Sequence, residues 1–101
     1  MLMFIVGHKM KEITINCQGI QTEAEFWTRY INAAKPDGAE YFGRNTAAFR
    51  DAIAAGGPGW PGECRIRIVN SVILQPLSGG AFLKRLEEIA NMSKDIQISI
   101  D

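Results

Sequence analysis

Three short segments in which apolar and polar residues alternate constrain the fold of this chain more than any other feature. They are 13–16 (Ile-Thr-Ile-Asn), 64–69 (Cys-Arg-Ile-Arg-Ile-Val) and 96–100 (Ile-Gln-Ile-Ser-Ile). A two-residue period is typical of a strand with one buried face. Because helical segments separate the three strands, each connection must cross over, and we expect a small parallel sheet.

A capping box marks the start of the first of three predicted helices. Thr22 and Glu25 have the spacing at which a hydroxyl and a carboxylate each satisfy a free backbone N–H of a helix start. The helix is expected at about 23–34, and Pro36-Asp37-Gly38 is turn chemistry that ends it. Its core-facing side carries three aromatic residues: Phe26, Trp27 and Tyr30.

The second and third helices are predicted from their caps and their apolar spacing. The second begins near Asn45 or Thr46, either of which can cap it. It ends in the segment 56–59 (Gly-Gly-Pro-Gly), a connecting loop that lacks the Gly-Lys-Ser/Thr of a phosphate-binding motif. Ser78 is the expected cap of the third helix, at about 79–91. The inward residues of that helix are Phe82, Leu83, Leu86 and Ile89.

These elements predict an α/β fold, a three-stranded parallel sheet with three to four helices packed mainly on one face. Parallel sheets are normally covered on both faces. Here every strand alternates, so we expect two layers and a polar second face, made of Arg65, Arg67, Gln97 and Ser99. The 101 residues are the length of one domain, 1–101, with 1–11 as an N-terminal extension of unknown role.

The charges and the apolar segments of the chain exclude several classes of function. The formal net charge is zero, so no overall field attracts nucleic acid or an anionic membrane. The apolar run 1–6 is far shorter than the roughly 20 residues of a membrane helix. It also lacks the basic start and the small-residue cleavage site of a secretory signal. We expect a cytoplasmic protein that binds neither nucleic acid nor membrane.

Residues suited to metal, cofactor or covalent chemistry are sparse. Cys17 and Cys64 are too few for a disulfide framework and lack metal-ligand spacing, so we expect reduced, half-buried thiols at strand ends. His8 is the single histidine, and neither a zinc site nor a nucleophile–histidine pair is expected. We therefore predict no metal, no cofactor and no enzymatic activity. An acid–base pair of Asp51 and Glu88 is the remaining enzymatic alternative.

The segment 41–51 (Tyr-Phe-Gly-Arg-Asn-Thr-Ala-Ala-Phe-Arg-Asp) carries the strongest functional signal. An aromatic pair and a glycine lead into a short helix that turns Phe49 and Ile53 inward and Asp51 outward. A lone exposed carboxylate beside aromatic residues is poorly suited to catalysis and well suited to contact with another protein. We interpret the segment as a contact surface.

From residue 13 to the C-terminus, about nine-tenths of its length, the chain resembles the barstar-type ribonuclease inhibitors. The segment 41–45, followed by Asp51, is similar to the Tyr-Tyr-Gly-x-Asn motif of that family and to its key aspartate six residues after the Asn. The predicted order of strands and helices is also the same. Counting back from 95–98, Glu88 falls on the second interface carboxylate of the family.

The resemblance implies a barstar-like fold and a mechanism of blockade. Members of this family plug the active site of a lethal ribonuclease with the second helix and nearby loops, and a carboxylate takes the place of an RNA phosphate. A desolvated carboxylate–guanidinium pair is short and directional, which suits this role. The resemblance makes Asp51 the anchor and Glu88 a flanking acid. It assigns aromatic contact area to Tyr41, close backbone approach to Gly43 and adaptable hydrogen bonds to Asn45.

Three positions depart from the family pattern. Arg44 replaces an acid, Ala47 an aspartate and Arg50 a tryptophan. Trp60 stands in for an interface tryptophan, through a loop that is built differently. Because two arginines repel a strongly basic enzyme, the expected target is a less basic one with its own acidic patch, or a different toxin.

The leading hypothesis is therefore an immunity protein that binds a secreted or toxin-type ribonuclease, one to one, in the cytoplasm. The alternative is a barstar-like interaction module that binds another partner and inhibits no ribonuclease. Several site residues also have a structural interpretation: Tyr41 as core, Asn45 as a helix cap, Asp51 and Glu88 as solvated charges. Phe42 is expected in the core under either hypothesis.

Overall fold

A computed structural model describes residues 11–93 and 95–101, and the structural statements below concern these residues. One parallel sheet has the strand order β1-β2-β3, formed by β1 (Lys11–Asn16), β2 (Cys64–Val69) and β3 (Ile96–Ile100). The connections contain α1 (Glu23–Ala34), α2 (Thr46–Ala55) and α3 (Ala81–Ala90). The predicted α/β class and three-stranded parallel sheet are confirmed.

The N-terminal end of the described chain is part of the sheet. Lys11, assigned from the sequence to the extension, is the first residue of β1. Its Nζ donates a hydrogen bond of 3.1 Å to the backbone oxygen of Ala34 at the end of α1. This contact satisfies one of the carbonyl groups that a helix end leaves free. The predictions for the remaining extension, including His8 and the apolar run 1–6, lie outside the described residues.

The register of the three strands aligns isoleucines across the buried face of the sheet. They form two rows, Ile13–Ile66–Ile98 and Ile15–Ile68–Ile100. The members on β1 and β2 are fully buried, and those on the edge strand β3 are half-buried. β-branched side chains pack well on a pleated surface. The helices pack on these two rows of isoleucines.

The opposite face of the sheet is polar. It carries the residues that the alternation assigns to it: Arg65, Arg67, Gln97 and Ser99. Arg65 lies 3.8 Å from Glu12 and donates to Oε1 of Gln97 at 3.3 Å, so it links all three strands. Arg67 lies 3.9 Å from Asp101. These contacts are solvent-exposed and add little to stability, and the helices pack on the isoleucine face.

An aromatic cluster above the isoleucine rows joins the three helices. Its six members are Phe26, Trp27, Tyr30, Phe42, Phe49 and Phe82. Trp27 lies at the centre, with ring centroids 5.0 to 6.4 Å from those of the other five. Most of these pairs are edge-to-face, the arrangement that aromatic rings prefer. The cluster fixes α1, α2 and α3 relative to one another.

A buried hydrogen bond connects this cluster to the loop after α2. The hydroxyl of Tyr30 donates to the backbone oxygen of Gly59 at 2.7 Å. Burial raises the pKa of Tyr30 well above its ordinary value, so the hydroxyl keeps its proton and remains a donor. Gly59 itself lies on the ring of Phe42, where a Cβ would come within 2.6 Å of Cδ1.

The helix starts agree with the sequence at two of three places. Thr22 and Glu25 form the predicted capping box, and Asn45 caps α2. Ser78 was expected to cap the third helix, and this is wrong. The backbone is left-handed from Ser78 (φ 51°) through Gly80 (φ 96°), so α3 begins only at Ala81. The Ser78 hydroxyl instead donates to Glu23 in the first turn of α1 at 2.5 Å.

Both cysteines are free and fully buried, whereas half-buried thiols were expected. Cys17 follows β1 and Cys64 begins β2, at opposite ends of the sheet. Burial raises the pKa of Cys17 to about 11 and also raises that of Cys64. Because a thiolate is the reactive form of cysteine, both side chains are inert parts of the core at neutral pH.

The capping box makes a prediction about pH. The backbone N–H of Gln21, followed by that of Thr22, lowers the pKa of Glu25 from its ordinary value of 4.5. A lowered folded-state pKa means that ionised Glu25 stabilises the fold above pH 4.5, and that this contribution disappears as the pH falls through the folded value. The unfolding free energy of wild type should therefore exceed that of Glu25→Gln at pH 7, and urea titrations should show the difference closing at low pH. A difference that persists at pH 2 would contradict this.

Candidate protein-binding surface

The segment before α2 turns two neighbouring aromatic side chains in opposite directions. Ala39–Tyr41 forms one 3-10 turn, after which the backbone of Phe42 is extended. Tyr41 is 76% exposed, whereas Phe42 is 5% exposed and packs on Trp27 and Tyr30. The prediction that Phe42 belongs to the core is confirmed. Tyr41 is an exposed aromatic side chain on a well-anchored turn.

The amide of Asn45 is occupied by the start of α2. Its Oδ1 accepts from the backbone N–H of Ala48 at 2.7 Å, and its Nδ2 donates to the backbone oxygen of Gly43 at 3.1 Å. Both ends of the amide therefore serve the helix cap, as the structural interpretation of this residue expects. Gly43 lies close to the same turn, since a Cβ there would approach that of Ala48 to 3.2 Å.

Arg44 is directed toward α1. Its backbone is left-handed (φ 54°), which is uncommon for a residue other than glycine. Its Nη1 donates to Oγ1 of Thr28 at 3.2 Å. The guanidinium group is exposed and lies beside the face of α1 that carries Thr28.

α2 has one buried and one exposed side. Phe49, Ala52 and Ile53 are buried in contact with the rest of the molecule. The exposed side carries three of the predicted site residues: Ala47, Arg50 and Asp51. The helix therefore presents one arginine and one carboxylate in succession, on a background of alanine.

Three adjoining grooves surround this exposed side. One of about 280 Å³ lies between α2 and α3 and is lined in part by Arg50, Arg85, Glu88 and Met92. A second of about 380 Å³ runs along α2 past Arg50 and Asp51. The first and second share Ala47 and Arg50 as lining residues, so they adjoin each other.

The third groove, of about 460 Å³, extends the surface to the loop after α2. Ala54 borders both this groove and the second one, and Met92 borders both this groove and the first. Trp60 lines it and is 42% exposed. We call the combined area of the three grooves the α2 surface, defined by Ala47, Arg50, Asp51, Ala54, Trp60, Arg85, Glu88 and Met92.

The α2 surface contains five of the nine residues predicted for partner binding: Ala47, Arg50, Asp51, Trp60 and Glu88. The other four line none of the three grooves and lie before α2: Tyr41, Gly43, Arg44 and Asn45. The residues predicted for partner binding therefore fall in two regions, the segment 41–45 before α2 and the α2 surface. Asp51 belongs to the α2 surface.

Sequence reasoning missed three members of the α2 surface: Ala54, Arg85 and Met92. Arg85 and Met92 stand three residues before and four residues after Glu88, the spacing at which residues share one face of a helix. That spacing was the available signal for Arg85. Met92 lies just beyond α3 and reaches the surface because α2 packs against α3, a contact that local pattern does not reveal.

The charges on the α2 surface lack ion-pair partners within the part of the chain that the structure describes. Both ion pairs found there, those of Arg65 and Arg67, lie on the polar face of the sheet. Arg50, Asp51 and Glu88 therefore have no opposite charge within 4.0 Å among residues 11–93 and 95–101. These three charged groups therefore remain available for ion pairs with another molecule.

Two other features are absent from the described residues. No three histidine, cysteine, aspartate or glutamate side chains in the described ranges come together as a metal site. Within those ranges, no helix has both the length and the apolar character needed to cross a membrane.

No protein-family model matches the chain, and no curated protein matches it. The family resemblance given in the sequence analysis therefore rests on the residues of the chain alone.

Proposed function

We propose that this chain is a protein inhibitor, or immunity protein, that binds a secreted or toxin-type ribonuclease and blocks its active site in the cytoplasm. The proposal includes a barstar-like fold. The parallel sheet and the order of its elements support that fold, as does a short helix directly after the aromatic–glycine segment 41–43. The blocking element is the α2 surface.

The main support for the proposal is that Asp51 is exposed and has no cationic partner among the described residues. Asp51 is exposed on α2, lines the second groove, and its carboxylate has no cation within 4.0 Å among the described residues. A ribonuclease binds a phosphate with cationic side chains, and a carboxylate held on a rigid helix is a suitable substitute for that phosphate. Exclusion of water from the complex strengthens such a pair.

Other exposed side chains give the proposed interface its area. Trp60 and Tyr41 are large and exposed, and aromatic residues of this kind dominate the energetics of many interfaces. Glu88 borders the groove beside α2 and supplies a second acid. A complex of one inhibitor with one enzyme is expected to bury on the order of 1,600 Å².

The arginines of the α2 surface specify the chemistry of the partner. Arg50 and Arg85 line one groove with the apolar side chains of Ile89 and Met92. We infer that the target inserts an acidic side chain here, beside the cation that binds Asp51. The apolar lining and the neighbouring carboxylates disfavour a nucleic-acid phosphate chain at this place, which fits a protein partner with a mixed-charge surface.

One observation favours the alternative, an interaction module that inhibits no ribonuclease. The side chains of Arg44 and Asn45 are engaged within the chain, by Thr28 and by the α2 cap. These two residues therefore offer less to a partner than the resemblance implies. Inhibition assays against secreted-type ribonucleases separate the two hypotheses, since a module binds without lowering turnover.

Removal of the Asp51 carboxylate should weaken inhibition strongly. Asp51→Ala leaves the partner's cation desolvated and unpaired, and the expected loss is about 2 kcal/mol or more in binding free energy. Ala47→Ser, on the same side of α2, should change binding by less than about 0.5 kcal/mol. Calorimetric titration of the cognate ribonuclease measures both. If Asp51→Ala and Glu88→Ala both inhibit as wild type does, the proposed interface is wrong.

Charge reversal in the groove tests the inferred acidic side chain of the partner. Arg50→Glu and Arg85→Glu should each raise Kd for the cognate ribonuclease by about tenfold or more, since a carboxylate would then face a carboxylate. Lys84→Glu is the matched control, because Lys84 is exposed on α3 and lines none of the three grooves. Its Kd should stay within about twofold of wild type. Tighter binding by the groove variants would reverse the inferred chemistry.

Asp51 should contribute nothing to the stability of the isolated chain. Its backbone oxygen accepts from Gly56 and Gly57, so the residue belongs to the carbonyl end of α2, where a negative charge is disfavoured. Asp51→Asn should therefore leave the Tm unchanged or raise it, whereas Glu25→Gln should lower it by weakening the α1 cap. Thermal unfolding followed by circular dichroism measures both. A lower Tm for Asp51→Asn would contradict this prediction, because it would show that the carboxylate stabilises the fold.

A further inference from the structure

The loop after α2 approaches Asp51 closely. The backbone N–H of Gly57 donates to the backbone oxygen of Asp51 at 3.2 Å. A Cβ placed on Gly57 would overlap Oδ2 of Asp51, and outside residues 56–58 the three nearest atoms to that Cβ all belong to Asp51. The carboxylate thus occupies space that only a residue without a side chain leaves open.

Backbone conformation does not explain the glycine at this position. Gly56 and Gly59 have φ of +73° and +93°, which side chains rarely adopt, whereas Gly57 lies outside that region. An alanine at 57 is therefore free of left-handed strain, and its only close contact would be with the Asp51 side chain. Space for the carboxylate is what the glycine provides.

The loop is itself anchored to the core. The Tyr30 hydroxyl binds the oxygen of Gly59, and the Phe42 ring packs on the same residue. The N–H of Trp60 donates to the oxygen of Gly57 at 3.0 Å. Through these contacts of Gly59, the buried aromatic cluster holds the loop and Gly57 in place. The hydrogen bond between Trp60 and Gly57 holds Trp60 in the same loop.

We propose that Gly57 is a positioning residue for the partner-binding carboxylate of Asp51. By contacting Oδ2 from one side, the loop restricts the side-chain rotamers of Asp51 and holds the carboxylate ready for the cation of the partner. Such preorganisation favours binding because less side-chain freedom is lost when the complex forms. The inference rests on the proposed function for its biological role, but the geometry can be tested without a partner.

The first experiment measures the Asp51 side chain directly in the isolated, isotope-labelled protein. Three-bond couplings from Cγ of Asp51 to the backbone nitrogen and carbonyl carbon report its χ1 angle. Wild type should give the couplings of a single rotamer, and Gly57→Ala should give a different rotamer or an average. Pro58→Ala is the control, since Pro58 is the next residue in the same loop and is exposed. Unchanged couplings in Gly57→Ala would overturn the positioning.

The second experiment is a double-mutant cycle with the cognate ribonuclease. Gly57→Ala should raise Kd on the order of tenfold in the wild-type background and should have no further effect in Asp51→Ala. Equal losses in both backgrounds, or no loss in the presence of Asp51, would show that Gly57 does not act through the carboxylate. If Asp51→Ala binds as wild type does, the proposed function fails, and the couplings then show separately whether the carboxylate is held in place.

Discussion

The packing of aromatic rings around Trp27 is the contact on which the rest of the molecule depends. It brings α1, α2 and α3 together above the isoleucine rows and also receives Phe42 from the turn before α2. The indole Nε1 of Trp27 has no hydrogen-bond partner in the described part of the chain, and this cost is offset by the surrounding rings. Because the cluster fixes the helices, the grooves between them have a defined shape.

The core contacts of α2 and the partner contacts that we propose lie on opposite sides of the helix. Phe49 and Ile53 on its inner side belong to the core, while Arg50 and Asp51 on its outer side have no ion-pair partner in residues 11–93 and 95–101. Residues on the outer side can change with little effect on folding, since surface substitutions away from caps and pairs are nearly neutral. This separation explains how an arginine at position 50 is compatible with the fold, while it alters the charge that the proposed partner would meet.

Local chemistry in the sequence was sufficient for most of the fold. The capping residues Thr22 and Asn45 and the alternating isoleucines identify the helix starts and the strands, because these signals act over a few residues. The prediction that Ser78 caps the third helix was wrong because the backbone is left-handed from Ser78 to Gly80, so α3 begins later, at Ala81. The identity of one serine does not reveal that conformation. In the candidate site, the exposed position of Asp51 on α2 was predictable from the apolar spacing of the helix, whereas its contact with Gly57 depends on how the loop folds back.

The two tryptophans have opposite environments, and each therefore reports optically on a different process. Trp27 is 1% exposed at the centre of the core, and Trp60 is 42% exposed at the edge of the α2 surface. An indole in water emits at longer wavelength than one in an apolar interior. Covering of the α2 surface would shift the emission of Trp60 and leave that of Trp27 unchanged, while unfolding would shift Trp27 most. The chain thus carries one intrinsic fluorophore at the α2 surface and a separate one in its core.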